Sequence, residues 1–509
     1  MAVKINFNEA AAKTHTALII NERAMNKSLL RLSTGYRILS AADDSAGLFI
    51  ADMLGTVAAA LDQGNANIQT GISALQIAES AAGQIYTKLQ EIYIRAQRAA
   101  NDINDPNARV ALQSEIDNFI NAIQEIATDT EYNGIKLLDG TFTGKYIHYG
   151  ARADQTVTIS ISNLKASNIG AYIVQGEGEV TSSTTAYSAL ITGNWQYDPS
   201  SDTVTVAGVD LTSSTYLSNT GAVDAKAIAD AINNNVTLQQ EGISARATNS
   251  STADSEWSNI APTAGSATIR FYVGSSTDSS SAIEITVSSG ETLTLDQLVS
   301  QINTQASTKS LNITASSSGN KLILRTTGET IGLEVITDGS FSGSINLGMF
   351  LDDVNLTVSG TSQTASAVKV GNLTITGTGS YNYNFTGIST TNEGLGIASS
   401  GNASFYNLNS INVTTNSGAE LAIDIVTAAI QKVDKVRAQI GATMNNLQAI
   451  YDAQKSAYDN TKEAESVIRN TDYAKEMSEF ISYQIRMQAT IAMLAQANAL
   501  PQLVLQLLR

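Results

Sequence analysis

Apolar residues recur along the chain in two different rhythms. From residue 1 to 140, and again from 419 to 509, they return every three or four positions, the period of an α-helix. Between 141 and 418 they alternate with polar residues or run in short β-branched stretches. VTVAGVDLT, AIEITV, KLILRTT and NLTITG are examples, and they read as strands. The pattern predicts helices, then strands, then helices.

The first long helix has Ile72, Leu75, Ala78, Ala82, Ile85, Leu89, Ile92, Ala96, Ala99 and Ile103 on one stripe. Asp105-Pro106 restarts the chain as an N-cap followed by proline at the first helical position. The next helix carries Leu112, Ile116, Phe119, Ile123 and Ile126. It ends before Tyr132-Asn133-Gly134-Ile135, where Asn133 and Gly134 suit a two-residue hairpin turn that needs φ > 0 at both positions. Towards the C-terminus, Ile423, Val426, Ile430, Val433, Arg437, Ile440, Met444, Leu447, Tyr451, Gln454 and Tyr458 alternate three and four apart. Such a seam favours coiled-coil-like packing, with the two N-terminal helices as partners closing the chain into one rod. Asp472 is placed to cap a last helix bearing Met477, Ile481, Ile485, Ile491 and Leu494.

The strand-rich middle contains a repeat. VDAKAIADAIN (223–233) and LTLDQLVSQIN (293–303) are amphipathic helices ending in Ile-Asn, at Ile232 and Ile302. Each is followed eleven residues later by a strand-like isoleucine, Ile243 and Ile313. The 70-residue spacing suits duplicated α+β modules rather than a solenoid.

Composition removes whole classes of function. With 509 residues and 43% apolar content the chain can build several cores. It has no cysteine, which excludes disulfide scaffolds, cysteine zinc sites and cysteine nucleophiles. The net charge is -17 and no basic run occurs, which argues against nucleic acid as a partner. The middle holds ten of the 30 basic and 21 of the 47 acidic residues, a net of -11 against -6 for the ends. No stretch reaches the ~18 consecutive apolar residues of a membrane span, so no membrane partner is expected, and no cleaved signal peptide is visible. Phosphate-loop, GxSxG and HExxH motifs do not occur. His15 and His148 lack a second histidine at ligand spacing. Asp43-Asp44 and Asp352-Asp353 read as solvated turns, and Asn-x-Ser/Thr triplets at Asn235, Asn312 and Asn372 as chance products of composition. No catalysis, cofactor or metal is expected. The last ten residues are different, because seven of them are Leu, Val or Pro. An apolar terminus of this kind marks an interaction site.

The ends also carry recognisable text. SLLRLSTGYRILSAADDSAGLFIA (28–51) resembles the N-terminal signature of bacterial flagellin, with Arg31, Leu32, Ser33, Gly35, Arg37, Ile38, Ser40, Ala41, Asp43, Asp44, Ala46, Gly47 and Leu48 in place. NANIQTGISALQIA (65–78), Asn133-Gly134 and Leu137-Leu138 extend the likeness. GATMNNL (441–447) and MLAQANALPQLVLQLLR (493–509) resemble the family's C-terminal motifs, and the 70-residue repeats resemble its Ile-Asn modules.

The resemblance implies a multi-domain chain with all-α, coiled-coil-like terminal domains, a β-hairpin, and a β-rich (α+β) central outer region. Residues 1–45 with 471–509 would line the filament core. Residues 46–175 with 405–470 would form an inner tube, and 176–404 the variable exterior, with repeats at about 223–250 and 293–326. It implies a secreted, extracellular subunit that polymerises head to tail into the flagellar filament. The partners it implies are its own copies, the type III export apparatus, a flagellin-specific chaperone at the C-terminal helix, the filament cap and hook-associated proteins. A hook–filament junction protein shares the terminal motifs and is the alternative; an adhesive or enzymatic middle domain is a further one.

Resemblance and stripes together mark Leu29, Leu32, Ile38, Leu48, Ile72, Leu75, Ile85, Leu89, Ile92, Ile430, Val433, Ile440, Leu447, Ile491, Leu494, Leu500, Leu503, Leu505 and Leu508 as helix-packing or inter-subunit positions. Many flagellins carry an LQRxRxLA-type segment read by an animal Toll-like receptor. Here Glu91 and Tyr93 replace the two basic residues and Arg95 replaces the leucine, so weak recognition is expected. Leu39, Met444 and Asn446 also depart from the family pattern.

Overall fold

The computed structural model describes residues 7–101, 103–388 and 394–507; for 194 and 500–507 it describes the backbone alone. By contacts the chain divides into two units. One comprises Met1–Ile77, Phe142–Ile161 and Gln439–Arg509, and the other Ala78–Thr141 and Ser162–Ala438. The residue pairs 45/46 and 470/471, where domain boundaries were expected, both lie inside the first unit.

The first unit is built by helices. Asn8 caps α1 (Glu9–Thr34) by accepting from the Ala11 amide, and Gly35 ends it at φ 77°, donating to Arg31 O at 2.8 Å. Helix α7 (Tyr473–Leu507) starts where the Asp472 carboxylate accepts from the Ala474 and Lys475 amides. The two helices run antiparallel. Asn8 donates to Ala497 O, Asn21 to Thr490 Oγ1 and Ser28 to Glu476 O.

Two helices of 55 and 54 residues, α2 (Ser45–Ala99) and α6 (Asn416–Arg469), contribute to both units. In the first unit, Asp52 pairs with Arg469 and Gln69 donates to the Tyr451 hydroxyl. Two glycines admit the hairpin formed by β3 (Lys145–His148) and β4 (Thr156–Ile159) onto α2. A Cβ at Gly64 would lie 1.9 Å from Tyr149 O, and one at Gly71 would lie 2.0 Å from Ile147 Cδ1. The ~1 kcal/mol helix cost of each glycine is the condition for that approach. An 18-residue window of α2 has mean hydropathy 1.4, long and apolar enough to cross a membrane by length and composition; a helix packed in a protein core meets the same test.

In the second unit the α2 stripe is buried from Ala78 to Ala99, as are Leu112, Ile116, Ile120, Ile123 and Ala127 of α3 (Pro106–Asp129). Ile103 does not continue the stripe. It is 90% exposed, because the helix stops at Ala99 and Arg109 takes the Ala99 and Asn101 carbonyls. Phe119 is half-buried and forms a ring face for Lys88 and Arg95, while Ile120 takes the core position. Arg437 of α6 pairs with Glu79 of α2 and lies over Tyr86. The hairpin β1 (Glu131–Tyr132) and β2 (Ile135–Lys136) turns at Asn133 and Gly134, with φ of 51° and 75°.

Antiparallel sheets form the rest of this unit. Its main strands are β5 (Gly170–Gly176), β6 (Val180–Ser183), β7 (Ile243–Thr252), β8 (Ser266–Val273), β9 (Ile283–Ser288), β10 (Ile313–Ser318), β11 (Lys321–Thr326), β12 (Ile331–Thr337), β13 (Thr364–Lys369), β14 (Asn372–Gly377) and β15 (Ser404–Asn407). One sheet has the order β10-β11-β7-β14-β5-β15, the other β9-β8-β12-β13-β6. The two Ile-Asn repeats form helices α4 (Ala225–Asn233) and α5 (Leu295–Lys309), followed by β7 and β10, which flank β11. Ile232 and Ile302 are both fully buried, each in its own apolar cluster. Arg246 of β7 ties the sheet to α6 through Glu420 at 2.7 Å and Asp424 at 3.0 Å.

Candidate functional site

The segment between α1 and α2 and the segment between α6 and α7 meet. Tyr36 forms an antiparallel bridge with Asn470. The Arg37 amide donates to Arg469 O, and the Thr471 amide donates to Gly35 O. The Arg37 guanidinium reaches Ile468 O at 2.7 Å, and that of Arg469 lies over the Tyr36 ring. The signature residues around this bridge are structural. Arg31 pairs with Glu476 at 3.5 Å. Asp43 accepts from the Leu39 and Ser40 amides and pairs with Lys27 at 2.6 Å. The Lys27 ammonium, with the two amides, holds the Asp43 carboxyl down at about 2. Asp44 accepts from the Gly47 amide and so opens α2.

The other acidic pair is also structural: Asp352 pairs with Lys369 and accepts from the Ser251 hydroxyl. His15 lies in α1, and the carbonyl of His148 accepts from Asn67. Among the described residues no group of three His, Cys, Asp or Glu is arranged to hold a metal.

The residues marked from the sequence fall into distinct environments. Ile38, Leu75, Ile85, Leu89, Ile92, Val433, Ile440 and Leu447 are buried within the chain. Leu32, Leu48, Ile72, Ile430 and Leu494 are half-buried. Leu29 and Ile491 are about half exposed, at 51% and 50%. Leu500, Leu503 and Leu505 lie on the helical backbone of α7, and Leu508 lies outside the described residues. Sequence reasoning missed Ser28 and Glu476. Both are buried and hydrogen-bonded to each other's helix, and their polar identity hid them from an apolar-stripe search.

The two terminal helices keep large apolar side chains in water. Ile20, Leu29 and Leu30 on α1, and Met477, Ile481, Ile485, Ile491 and Met493 on α7, are exposed, Ile20 and Ile485 by 60%. Covering the exposed half of each such side chain would gain ~1 kcal/mol. A helical pair with an uncovered apolar surface, on a chain that also carries a β-rich region, fits a self-assembling structural subunit.

Comparison with known proteins gives the family. Residues 5–143 match the bacterial flagellin N-terminal helical region, and residues 423–508 the bacterial flagellin C-terminal helical region. The flagellin of Aquifex pyrophilus is 53% identical and that of Aquifex aeolicus 51% identical, both over the whole of each chain. The B-type flagellin of Pseudomonas aeruginosa is 32% identical, again over the whole of both chains. The chain belongs to the bacterial flagellin family. It is a structural subunit of the flagellar filament and serves motility, and the junction-protein alternative is not favoured.

Proposed function

We propose that the subunit is secreted and assembles outside the cell through the apolar faces of α1 and α7. The exposed isoleucines and methionines of this pair are the observation that carries the reading. Contacts between unlike patches build an open helix instead of a closed ring. Burial of the terminal stripes drives the addition of each subunit, and the ordering of chain ends opposes it. In this reading Leu29, Ile491, Leu494, Leu500, Leu503, Leu505 and Leu508 are subunit contacts. The buried Leu75, Ile85, Leu89, Ile92, Val433, Ile440 and Leu447 hold the helices that present them.

The domain division is proposed on the same basis: 1–45 with 471–509 at the filament core, 46–175 with 405–470 around it, and 176–404 outside. The export apparatus, a chaperone on the C-terminal helix, the cap and hook-associated proteins are the partners this role requires. The work is mechanical and involves no catalysis.

Deleting the last ten residues is expected to abolish filaments in negative-stain micrographs after a polymerisation trigger, while the β-rich region keeps its thermal transition. Normal filaments from the truncated chain would remove the tail from the subunit interface.

Recognition by the animal receptor is proposed to be weak. Arg95 pairs with Glu91 and Glu115, each at 2.5 Å, and lies over Phe119, so its charge is already engaged. A receptor reporter assay is expected to give little signal from purified monomer, and full-strength signalling would refute this.

A further inference from the structure

Helix α5 connects the last strand of one sheet to the last strand of the other. β9 ends the five-stranded sheet, β10 ends the six-stranded sheet, and α5 is the helix between them in the chain. A sheet edge leaves a row of backbone N–H and C=O groups without a ladder partner, a template for any other extended chain.

At both edges α5 supplies a side-chain amide. Asn303 donates to Ala315 O in β10 at 2.9 Å and accepts from the Ala315 amide at 2.8 Å. Two residues further on, Gln305 donates to Glu284 O in β9 at 2.7 Å and accepts from the Glu284 amide at 3.0 Å. The first repeat uses the same device. Asn233, the last residue of α4, donates to Ala245 O in β7 at 2.7 Å and accepts from the Ala245 amide at 2.8 Å. Ala245 lies where β7 runs past β11, whose pairing with β7 starts at Asn249. A carboxamide offers one donor and one acceptor side by side, as a peptide group does, so each of these side chains stands in for one residue of a missing strand. Ile232 and Ile302, buried beside Asn233 and Asn303, fix the helices that aim two of the three.

We propose that Asn233, Asn303 and Gln305 are edge locks, which close the open sheet edges of the β-rich region against strand pairing with a second copy of this chain. The inference stands apart from the filament reading, because it concerns the folded monomer. It differs from simple helix docking in what loss of the amide releases. Docking predicts a weaker fold that stays monomeric; a lock predicts an edge that recruits another chain.

The test uses the full chain without a polymerisation trigger. The variant Asn303→Ala/Gln305→Ala is expected to exchange the amide hydrogens of residues 283–288 and 313–318 at least ~10-fold faster than wild type. In sedimentation velocity it is expected to form oligomers that grow with concentration while wild type stays monomeric. Adding Ala315→Pro removes the outward N–H of β10 that Asn303 covers, without touching the ladder bonds, and is expected to reduce the oligomer fraction several-fold. Folded variants with faster exchange that remain monomeric at every concentration overturn the proposal, as do oligomers that Ala315→Pro leaves unchanged. If the α5 variants do not fold, Asn233→Ala gives the same reading from the other apolar cluster.

Discussion

Asp43 and Asp224 both sit just ahead of a helix, and their surroundings push their acidity in opposite directions. Lys27 and two amides hold Asp43 down at about 2, below the ~3.9 of an unfolded aspartate. Asp43 therefore stabilises the fold fully above pH ~4, and that contribution fades as pH falls towards 2. Asp224 caps α4, and burial pushes its carboxyl up to about 7, with Glu329 adding to the rise against the Lys226 and Thr330 amides. Here the folded state binds the extra proton between pH ~4 and 7, so stability falls as pH rises through that window and levels off above it. Asp224→Asn keeps a good helix cap and removes the titration. Its melting temperature, compared with wild type at pH 4, 5.5 and 7, is expected to improve relative to wild type as pH rises. A difference that stays constant across the three values would show that Asp224 does not titrate there.

At the scale of the element, helical periodicity was the most legible feature of this sequence. Leu75, Leu89 and Ile116 sit where a 3.6-residue period puts a core, because a long helix exposes its pattern over many turns. The same pattern overran at Ile103, since what ends α2 is an arginine ten residues away, and spacing carries no sign of it. Leu89→Ala is expected to destabilise the chain by ~2–5 kcal/mol, the cost of a cavity in a closed helical core. Ile94→Ala, on the exposed face of the same helix, is expected to stay within ~0.5 kcal/mol. Denaturant midpoints compare the two, and equal losses would mean that the stripe is misassigned. The Ile-Asn repeat was legible as text and silent as chemistry. The isoleucine could be read as core from its type, but the role of the asparagine depends on a strand twelve residues on whose free edge only the assembled sheets create.

For the whole molecule, the sequence divided itself by composition, and the family signatures lie in the helical ends. The pairing of those ends needed more than pattern, because the bridge between Tyr36 and Asn470 joins residues far apart in the chain through backbone groups that any side chain could carry. Among the described residues, the buried members of the two apolar clusters of the β-rich region lie between Val174 and Ala403. The chain lacking its last ten residues is therefore expected to melt at an unchanged temperature in that region while losing assembly. A drop of more than a few degrees would mean that the tail also supports the fold.

The choice of carboxamides at the sheet edges sets a chemical lifetime. Slow hydrolysis of Asn303 or Asn233 would exchange the donating NH2 for a carboxylate oxygen facing a backbone carbonyl, and turn an attraction into a repulsion. The ring closure that starts such ageing needs the following backbone nitrogen to swing toward the side chain, and a helix holds that nitrogen in place. Asn303, inside α5, is shielded in this way, whereas Asn233 ends its helix and precedes Asn234. Of the two repeats, the first would be the one to wear out.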